Sequence, residues 1–173
     1  MDAPMMRSLP QSIEAEQSVI GAMLIDKNAM AKVFEKLEEE DFYRDGHKVI
    51  YNAIKEMYAK DMAVDLVTLL EHLKSADMLE KAGGVTYISE LSASVPTTAN
   101  LSSYIKIVEE KSTLRKLIKT STSIIEESYN NGGDVEKVID IAQKKIFDLA
   151  ENKDSKEYEP LSAVLERGFL EIE

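Results

Sequence analysis

The chain has 173 residues, 44% of them hydrophobic, and its 32 Asp and Glu outnumber its 21 Lys and Arg to give a net charge of −11. This apolar content allows a packed core in one domain with an appendage, or in two small units. No cysteine is present, which excludes a disulfide framework and a thiolate metal site. The acidic balance disfavours tight binding to a nucleic-acid backbone, which needs clustered Lys and Arg.

The negative charge is unevenly distributed along the chain. Residues 1–100 carry 10 basic and 17 acidic side chains, whereas residues 101–150 carry 8 of each. No apolar run approaches the length of a membrane span, and the first residues lack the charged start and apolar middle of a signal peptide. We therefore expect a soluble, cytoplasmic protein with no membrane association and little direct binding to nucleic acid.

The stretch Leu9–Asp26 predicts the first helix of a compact helical domain. Ser12 is placed to cap it, and Glu14 and Glu16 put negative charge in its first turn, where the helix dipole favours it. Gly21 would let another helix approach closely. Apolar residues recur at helical spacing: Ile13, Ala15, Val19, Ile20, Met23 and Leu24.

Four more helices are predicted before residue 98, with Asp26 and Asp65 as caps and Gly83-Gly84 as a tight break. We place them at residues 27–37, 45–60, 66–76 and 85–94, with Phe42 and Tyr43 as buried anchors and Pro96 ending the unit. The residues predicted to face the core are Met30, Val33, Phe34, Leu37, Val49, Ile50, Ala53, Ile54, Met57, Tyr58, Leu66, Leu69, Leu70, Leu73, Val85, Ile88 and Leu91.

The residue types needed for catalysis or metal binding are present but not at a recognised spacing. The acidic run at residues 38–41 could suggest a cation site, but a solvated turn that caps the next element is the favoured interpretation. His47 and His72 lack a nearby second ligand, so we interpret them as packed or capping. Gly83-Gly84 is not part of a phosphate-binding pattern, and no Walker A sequence occurs. We predict no catalytic, cofactor-binding or metal-binding residue.

Two long amphipathic helices follow, predicted as an antiparallel hairpin turning at residues 130–133, with Asp134 capping the second helix. Their shared seam is predicted to hold Leu101, Tyr104, Ile105, Val108, Leu114, Leu117, Ile118, Ile124, Ile125 and Tyr129, with Val135, Val138, Ile139, Ala142, Ile146 and Leu149. Ile107, Ile124, Ile141 and Phe147 are predicted to lie off that seam or at its edges. A hairpin this long cannot bury all its apolar surface, so we expect another surface to cover the remainder.

The C-terminal part is predicted to contain a polar linker, residues 151–159, and a short amphipathic helix after Pro160. An isolated short helix is marginal in water, so we expect a longer chain in which this helix docks on a partner. Its apolar stripe is Leu161, Val164, Leu165, Phe169 and Ile172. The predicted organisation is all-α: a globular unit at 1–98, the hairpin at 99–150, and the linker with its helix at 151–173.

Six segments in order resemble the N-terminal region of bacterial DnaB-type replicative DNA helicases. They are PQSIEAEQSVIGAMLID, EEDFYRDGHKVIYNAI, VDLVTLLEHL, GGVTYISEL, VPTTANLSSYIKIVEEK and LRKLIKTSTSII, and the likeness covers residues 8–150. Each segment alone is structural and unspecific, whereas the ordered series is specific. The resemblance implies an all-α domain and a hairpin, with a linker leading to a RecA-like motor.

The family resemblance also implies partners. It implies a homo-oligomer, with dimers through the hairpin assembling toward a trimer of dimers or hexamer, a collar that recruits DnaG-type primase, and a helicase loader as a further partner. ATP and Mg would belong to the motor domain, for which no residues are present here. Within this implied collar, our self-association candidates are Leu117, Ile118, Ile124 and Ile125. Our primase-contact candidates are Glu14 and Tyr87, since each projects from a helix whose apolar row faces elsewhere.

Three alternatives compete with the helicase assignment. A carboxylate-metal helical enzyme lacks the Glu-x-x-His pairs of helical di-metal sites, and a DNA-binding helical domain is opposed by the charge. The helicase-binding domain of a primase has a similar helical design. The N-terminal position of the SIEAEQ string favours the helicase.

Overall fold

A computed structural model describes residues 8–93, 98–130 and 134–154, and the α-helices within these segments confirm the all-α prediction. One 3-10 turn, Glu39–Asp41, lies between the second and third helices. The α-helices are α1 Ile13–Ile25, α2 Lys27–Lys36, α3 Asp45–Ala59, α4 Leu66–Ser75, α5 Gly84–Ala93, α6 Leu101–Asn130 and α7 Val135–Asp154.

The described residues form two compact units, with the boundary between Arg115 and Lys116. The first contains α1 to α5 and the first half of α6. The second contains the rest of α6, and α7. Residues 101–115 therefore belong to the first unit, although the predicted hairpin begins at residue 99. Their buried side chains, Leu101, Ile105 and Val108, are part of the core.

Helix α1 occupies the centre of the first unit and packs against α2, α3 and α5. Val19, Ile20 and Met23 are fully buried, as the helical spacing predicts. Gly21 is buried as well. The cap on α1 is the predicted one, because the Ser12 hydroxyl accepts a hydrogen bond from the Ala15 backbone N–H at 3.4 Å.

Asp26 and Asp65 cap helices α2 and α4 as predicted. The Asp26 carboxylate accepts from the Asn28 N–H at 2.9 Å. The Asp65 carboxylate accepts from the N–H groups of Val67 and Thr68, both at 2.9 Å. The hydrogen bonds from Thr68 to the charged form are the largest cause that lowers the pKa of Asp65 below its ordinary value.

Two residues predicted to face the core are exposed instead. Tyr58 is 39% exposed, whereas Tyr51, which was not predicted as core, is fully buried and donates its hydroxyl proton to the Leu37 carbonyl at 2.6 Å. Burial of this phenol raises its pKa well above the ordinary value. Val85 is 52% exposed because it lies on the first turn of α5, and Ile88 and Leu91 provide the buried row.

The acidic run at 38–41 is only partly solvated. It forms the predicted turn, but Asp41 is 2% exposed. Its carboxylate accepts from the Ser112 hydroxyl at 2.7 Å and from the Glu38 backbone N–H at 2.9 Å. Phe42 is buried as predicted, and Tyr43 is half-buried.

Several predicted features at the ends of elements can be compared only in part. Asp134 caps α7, because its carboxylate accepts from the Lys137 N–H at 3.2 Å. Helix α7 continues through Asp154, so residues 151–154 of the predicted linker are helical. Pro96, the hairpin turn at residues 131–133 and the predicted helix after Pro160 lie outside the described residues.

Candidate interaction surfaces

A buried carboxylate lies on the core-facing side of α1. Glu16 is 1% exposed, and its Oε2 lies 2.6 Å from Nδ1 of His47 on α3, a side chain that is fully buried. The Tyr43 backbone N–H donates to Glu16 Oε1 at 2.8 Å, and the Arg44 backbone N–H donates to Oε2 at 3.4 Å. Glu16 therefore fixes the start of α3 against α1 through a pair that is shielded from water.

The other imidazole nitrogen of His47 meets the hydroxyl of Tyr87, which lies on α5. The distance from Nε2 to this hydroxyl is 2.5 Å, and the two ring planes differ by 10°. The same hydroxyl oxygen accepts hydrogen bonds from Nη1 of Arg44 at 3.0 Å and from Nε2 of Gln17 at 3.2 Å. Three helices and the segment before α3 thus converge on one oxygen atom.

One assignment of protons satisfies all of these contacts. With the imidazole neutral and its proton on Nδ1, His47 donates to Glu16 and accepts the Tyr87 O–H at Nε2. The two lone pairs of the Tyr87 oxygen then accept from Arg44 and Gln17. A second imidazole proton would place three donors on two lone pairs. The network therefore favours the neutral Nδ1–H tautomer of His47.

His47 is packed, as the sequence interpretation holds, and its partners are internal. Among residues 8–93, 98–130 and 134–151, no group of three or more His, Asp or Glu side chains could hold a metal ion. His72 lies 3.4 Å from Glu56 at a half-buried position on α4.

The structure brings the two primase-contact candidates into one region. Glu14 is exposed and lies one helical turn before Gln17, whose amide contacts the Tyr87 hydroxyl. Tyr87 is half-buried. We call the surface formed by Glu14, Gln17, Arg44 and Tyr87 the Tyr87 patch. The hydroxyl of Tyr87 already makes three contacts within the chain, so its ring is the part that remains for contact with a partner.

Sequence reasoning missed Glu16 and Arg44. A signal for Glu16 existed, because residue 16 falls on the same helical row as Val19, Ile20 and Met23, and a charge on a core row needs a partner there. Arg44 carried no such signal. Its role depends on the packing of α5 against α1, which local spacing does not reveal.

The second unit exposes apolar side chains along both of its helices. On α6, the self-association candidates Leu117, Ile118 and Ile125 are 40%, 43% and 55% exposed, whereas Ile124 is half-buried. The exposed residues of this unit also include Tyr129, Val135, Ile139, Ile146 and Phe147. Three of the four candidates are therefore available to another surface.

The seam of the hairpin differs from the predicted one. Ile141, predicted off the seam, is half-buried, whereas Ile139 and Ile146 are exposed. Lys145 crosses between the helices and donates to the Ser123 hydroxyl at 2.7 Å. Each helix has an apolar stripe wider than one facing helix covers, so one edge of the stripe stays exposed while Ser123 and Lys145 take seam positions.

The docking residues predicted for the C-terminal helix, Leu161 to Ile172, lie outside the described residues. Where the structure does describe helices, none is both long and apolar enough to cross a bilayer.

Comparison with known proteins gives a consistent result. Residues 8–110 match the family described as DnaB-like helicase N terminal domain. Over 164 residues, 95% of this chain, it is 41% identical to the replicative DNA helicase DnaC of Bacillus subtilis (strain 168). It is 42% identical, over the same length, to the replicative DNA helicase DnaB of Geobacillus stearothermophilus. The chain spans 36% of the length of each of these relatives.

Two solved structures resemble this fold. The N-terminal domain of DnaB helicase from Mycobacterium tuberculosis is 40% identical with a TM-score of 0.75, and the alignment covers 82% of this chain and 99% of that one. A second structure is described as a DnaB-like replicative helicase and its interactions with primase. It is 26% identical with a TM-score of 0.66, covering 81% of this chain and 31% of that one.

Proposed function

The chain belongs to the family of DnaB-like helicase N-terminal domains, and we propose that it acts as the collar through which a replicative helicase assembles and recruits DnaG-type primase. The whole protein would unwind duplex DNA with ATP and Mg bound in a motor domain. This segment would supply protein–protein contacts and no catalytic group. A helicase loader is a further proposed partner.

The observation that carries this proposal is the row of exposed apolar side chains on α6. Leu117, Ile118 and Ile125 are between 40% and 55% exposed on one helix. Contiguous apolar surface of this kind typically marks a protein interface. A second copy of the hairpin fits it, because identical apolar stripes are self-complementary across a two-fold axis. We propose that such dimers assemble further toward a hexamer.

The proposed recruitment of primase is supported by the relative whose structure includes its interactions with primase. In this chain the Tyr87 patch offers a suitable surface, with an aromatic ring, an exposed carboxylate and a guanidinium. Tyr and Arg are enriched among residues that carry binding energy in interfaces. We propose that primase contacts Tyr87 and Glu14 on the globular unit, together with a neighbouring hairpin.

The decisive experiment combines mass and binding measurements. Light scattering over a concentration series should show a mass above that of one chain. Titration calorimetry with the helicase-binding domain of primase should show binding by this oligomer. Tyr87→Ala should weaken that binding by roughly thirtyfold, which corresponds to about 2 kcal/mol. A change below threefold would remove Tyr87 from the interface, and no binding by the unmutated oligomer would refute recruitment by this segment.

The alternative functions make opposite predictions. We propose that the protein has no ATPase activity and binds single-stranded DNA only weakly at physiological salt, because it has no excess of basic residues. ATP turnover above a blank preparation, or a micromolar complex with single-stranded DNA, would contradict the collar assignment. If the chain were instead the helicase-binding domain of a primase, it would bind helicase and not another primase domain. The same calorimetry, which uses a primase domain as the ligand, therefore distinguishes the two assignments.

A further inference from the structure

Tyr87 holds the guanidinium of Arg44 in place at the surface, where no carboxylate of the described residues pairs with it. Its Nη1 donates to the Tyr87 hydroxyl at 3.0 Å, and its Cζ lies 5.0 Å from the centre of the Tyr87 ring. The residue is exposed, and within the described part of the chain no carboxylate forms a salt bridge with its side chain. The chain has 32 acidic residues and 21 basic ones, so carboxylates that could pair with an arginine are in excess. An arginine that pairs with none of the described ones has its charge available to a partner.

The described residues contain a second arginine, Arg115, whose guanidinium is used within the fold, unlike that of Arg44. Arg115 is half-buried, and its two terminal nitrogens donate to the backbone carbonyls of Pro10 and Asp41 at 2.8 and 2.6 Å. Its guanidinium also lies 5.7 Å from the centre of the Tyr43 ring. Both terminal nitrogens of Arg115 serve the fold. The guanidinium of Arg44 has five N–H donors, and among the described residues its only hydrogen bond is the one from Nη1 to Tyr87.

A chain of contacts that runs from the core to the surface fixes the position of Arg44. Glu16 holds His47, His47 Nε2 accepts a hydrogen bond from the Tyr87 hydroxyl, and the Tyr87 oxygen accepts one from Arg44. The Arg44 backbone is tied to Glu16 as well. Ordering a long side chain on binding costs conformational entropy. Here much of that cost is already met in the free protein, which makes Arg44 a preorganised binding group.

We infer that Arg44 is a specificity-determining residue of the Tyr87 patch and that it binds a carboxylate of the primase, with His47 as its positioning residue. This inference rests on the proposed primase-recruiting function. A planar guanidinium with free donors matches a carboxylate in a two-point contact, which a lysine ammonium cannot reproduce. The Tyr87 ring beneath it excludes water from one face of that contact and strengthens it.

The test is calorimetry with the purified helicase-binding domain of primase, using the oligomeric protein. Arg44→Gln should weaken binding by at least thirtyfold. Arg44→Lys should recover only part of this loss. Tyr87→Phe keeps the ring but removes the hydroxyl that holds Arg44, and should weaken binding about fivefold. Lys55→Gln is the matched control, because it removes one positive charge three helical turns along α3, and should stay within threefold of the unmutated protein.

His47 is tested by comparing two variants. His47→Gln retains an amide that can accept from Tyr87, whereas His47→Ala does not, so the first should retain more binding than the second at equal oligomeric mass. Equal binding by these two variants would assign His47 a purely structural role. If either fails to fold, Tyr87→Phe tests the same link from the exposed side.

The outcomes separate this inference from the function on which it rests. If the unmutated oligomer binds primase and Arg44→Gln binds within threefold of it, the role of Arg44 is refuted and the collar assignment stands. Full recovery by Arg44→Lys would refute the two-point carboxylate contact. If the unmutated oligomer shows no binding, both the recruiting function and the role of Arg44 are refuted.

Discussion

Gly83 lies directly against the ring of Tyr87. A Cβ atom built on Gly83 would come within 2.6 Å of Tyr87 Cδ1 and 3.1 Å of Cγ. The residue also has a φ of 106°, in the region that L side chains rarely adopt. The absence of a side chain at Gly83 therefore leaves the space in which the Tyr87 ring sits.

Alanine at Gly83 should displace Tyr87. Backbone strain at this φ costs on the order of 1–3 kcal/mol, and the clash adds to it unless the ring moves. The adjacent Gly84 is the matched control, because it has a φ of 80° but open space around its Cβ position. Urea unfolding should show that Gly83→Ala loses at least about 1 kcal/mol more than Gly84→Ala. Equal losses would mean that the ring has no close contact with Gly83 in solution.

Removing the Glu16 carboxylate should be strongly destabilising. Glu16→Ala would leave the His47 Nδ1–H and the Tyr43 N–H buried without acceptors, and each such group costs about 1–3 kcal/mol. We expect a loss of about 3 kcal/mol or more in the free energy of unfolding, and a smaller loss for Glu16→Gln, which keeps one acceptor oxygen. Glu14→Ala removes the same charge from the same turn at an exposed position. It should cost less than about 1 kcal/mol, so comparable losses at residues 14 and 16 would argue against the buried network.

The sequence was sufficient for the elements of the globular unit but not for its polar interior. Helical spacing and caps such as Ser12 and Asp65 are local signals, so α1 to α5 could be placed within a few residues. Arg44 and His47 lie at the start of α3 and Tyr87 lies on α5, so their contacts depend on how α5 docks against α1. The same limit explains Tyr51 and Tyr58, where both tyrosines fit an apolar face and only the packing decides which one is buried. In the hairpin, Ile139 and Ile141 are similarly apolar, and the crossing of the two helices selects Ile141.

The Asp65 cap should make part of the stability of α4 depend on pH. Hydrogen bonds from Thr68 and Val67 lower the pKa of this carboxyl in the folded state below its ordinary value of 3.8. A lowered folded pKa means that the stabilisation is fully present above the unfolded value and is lost as the pH falls through the folded value. Asp65→Ala should therefore lower Tm near neutral pH, and the difference from the unmutated protein should shrink below pH 3.8.

Asp65→Asn provides the control for that measurement. Asparagine is also a good helix cap but does not titrate, so this variant should keep most of the Tm at neutral pH. Its Tm difference from Asp65→Ala should stay constant as the pH is lowered. A pH-dependent difference between these two variants would assign the effect to another carboxyl.

The exposed row of α6 leads to the last prediction, on self-association. Ile125→Asp places a charge at a position that is 55% exposed in the single chain, so it should leave the hairpin folded and lower the oligomeric mass. Burying one such apolar side chain stabilises an interface by about 1.5–3 kcal/mol, and an aspartate there would lose this and add an unpaired charge to each copy. Ile124→Asp should also lower the mass, but because Ile124 is half-buried within the hairpin it should lower Tm as well.

Lys119→Gln is the matched control for Ile125→Asp. It changes the net charge of the chain by the same amount, at an exposed position on another side of α6, and should keep the mass of the unmutated protein. Light scattering measures the masses, and far-ultraviolet circular dichroism shows whether the helices persist. If Ile125→Asp keeps the full mass, the copies associate through another surface; if it loses its helices instead, Ile125 stabilises the single hairpin and the interface must be sought among Leu117, Ile118 and the apolar residues of α7.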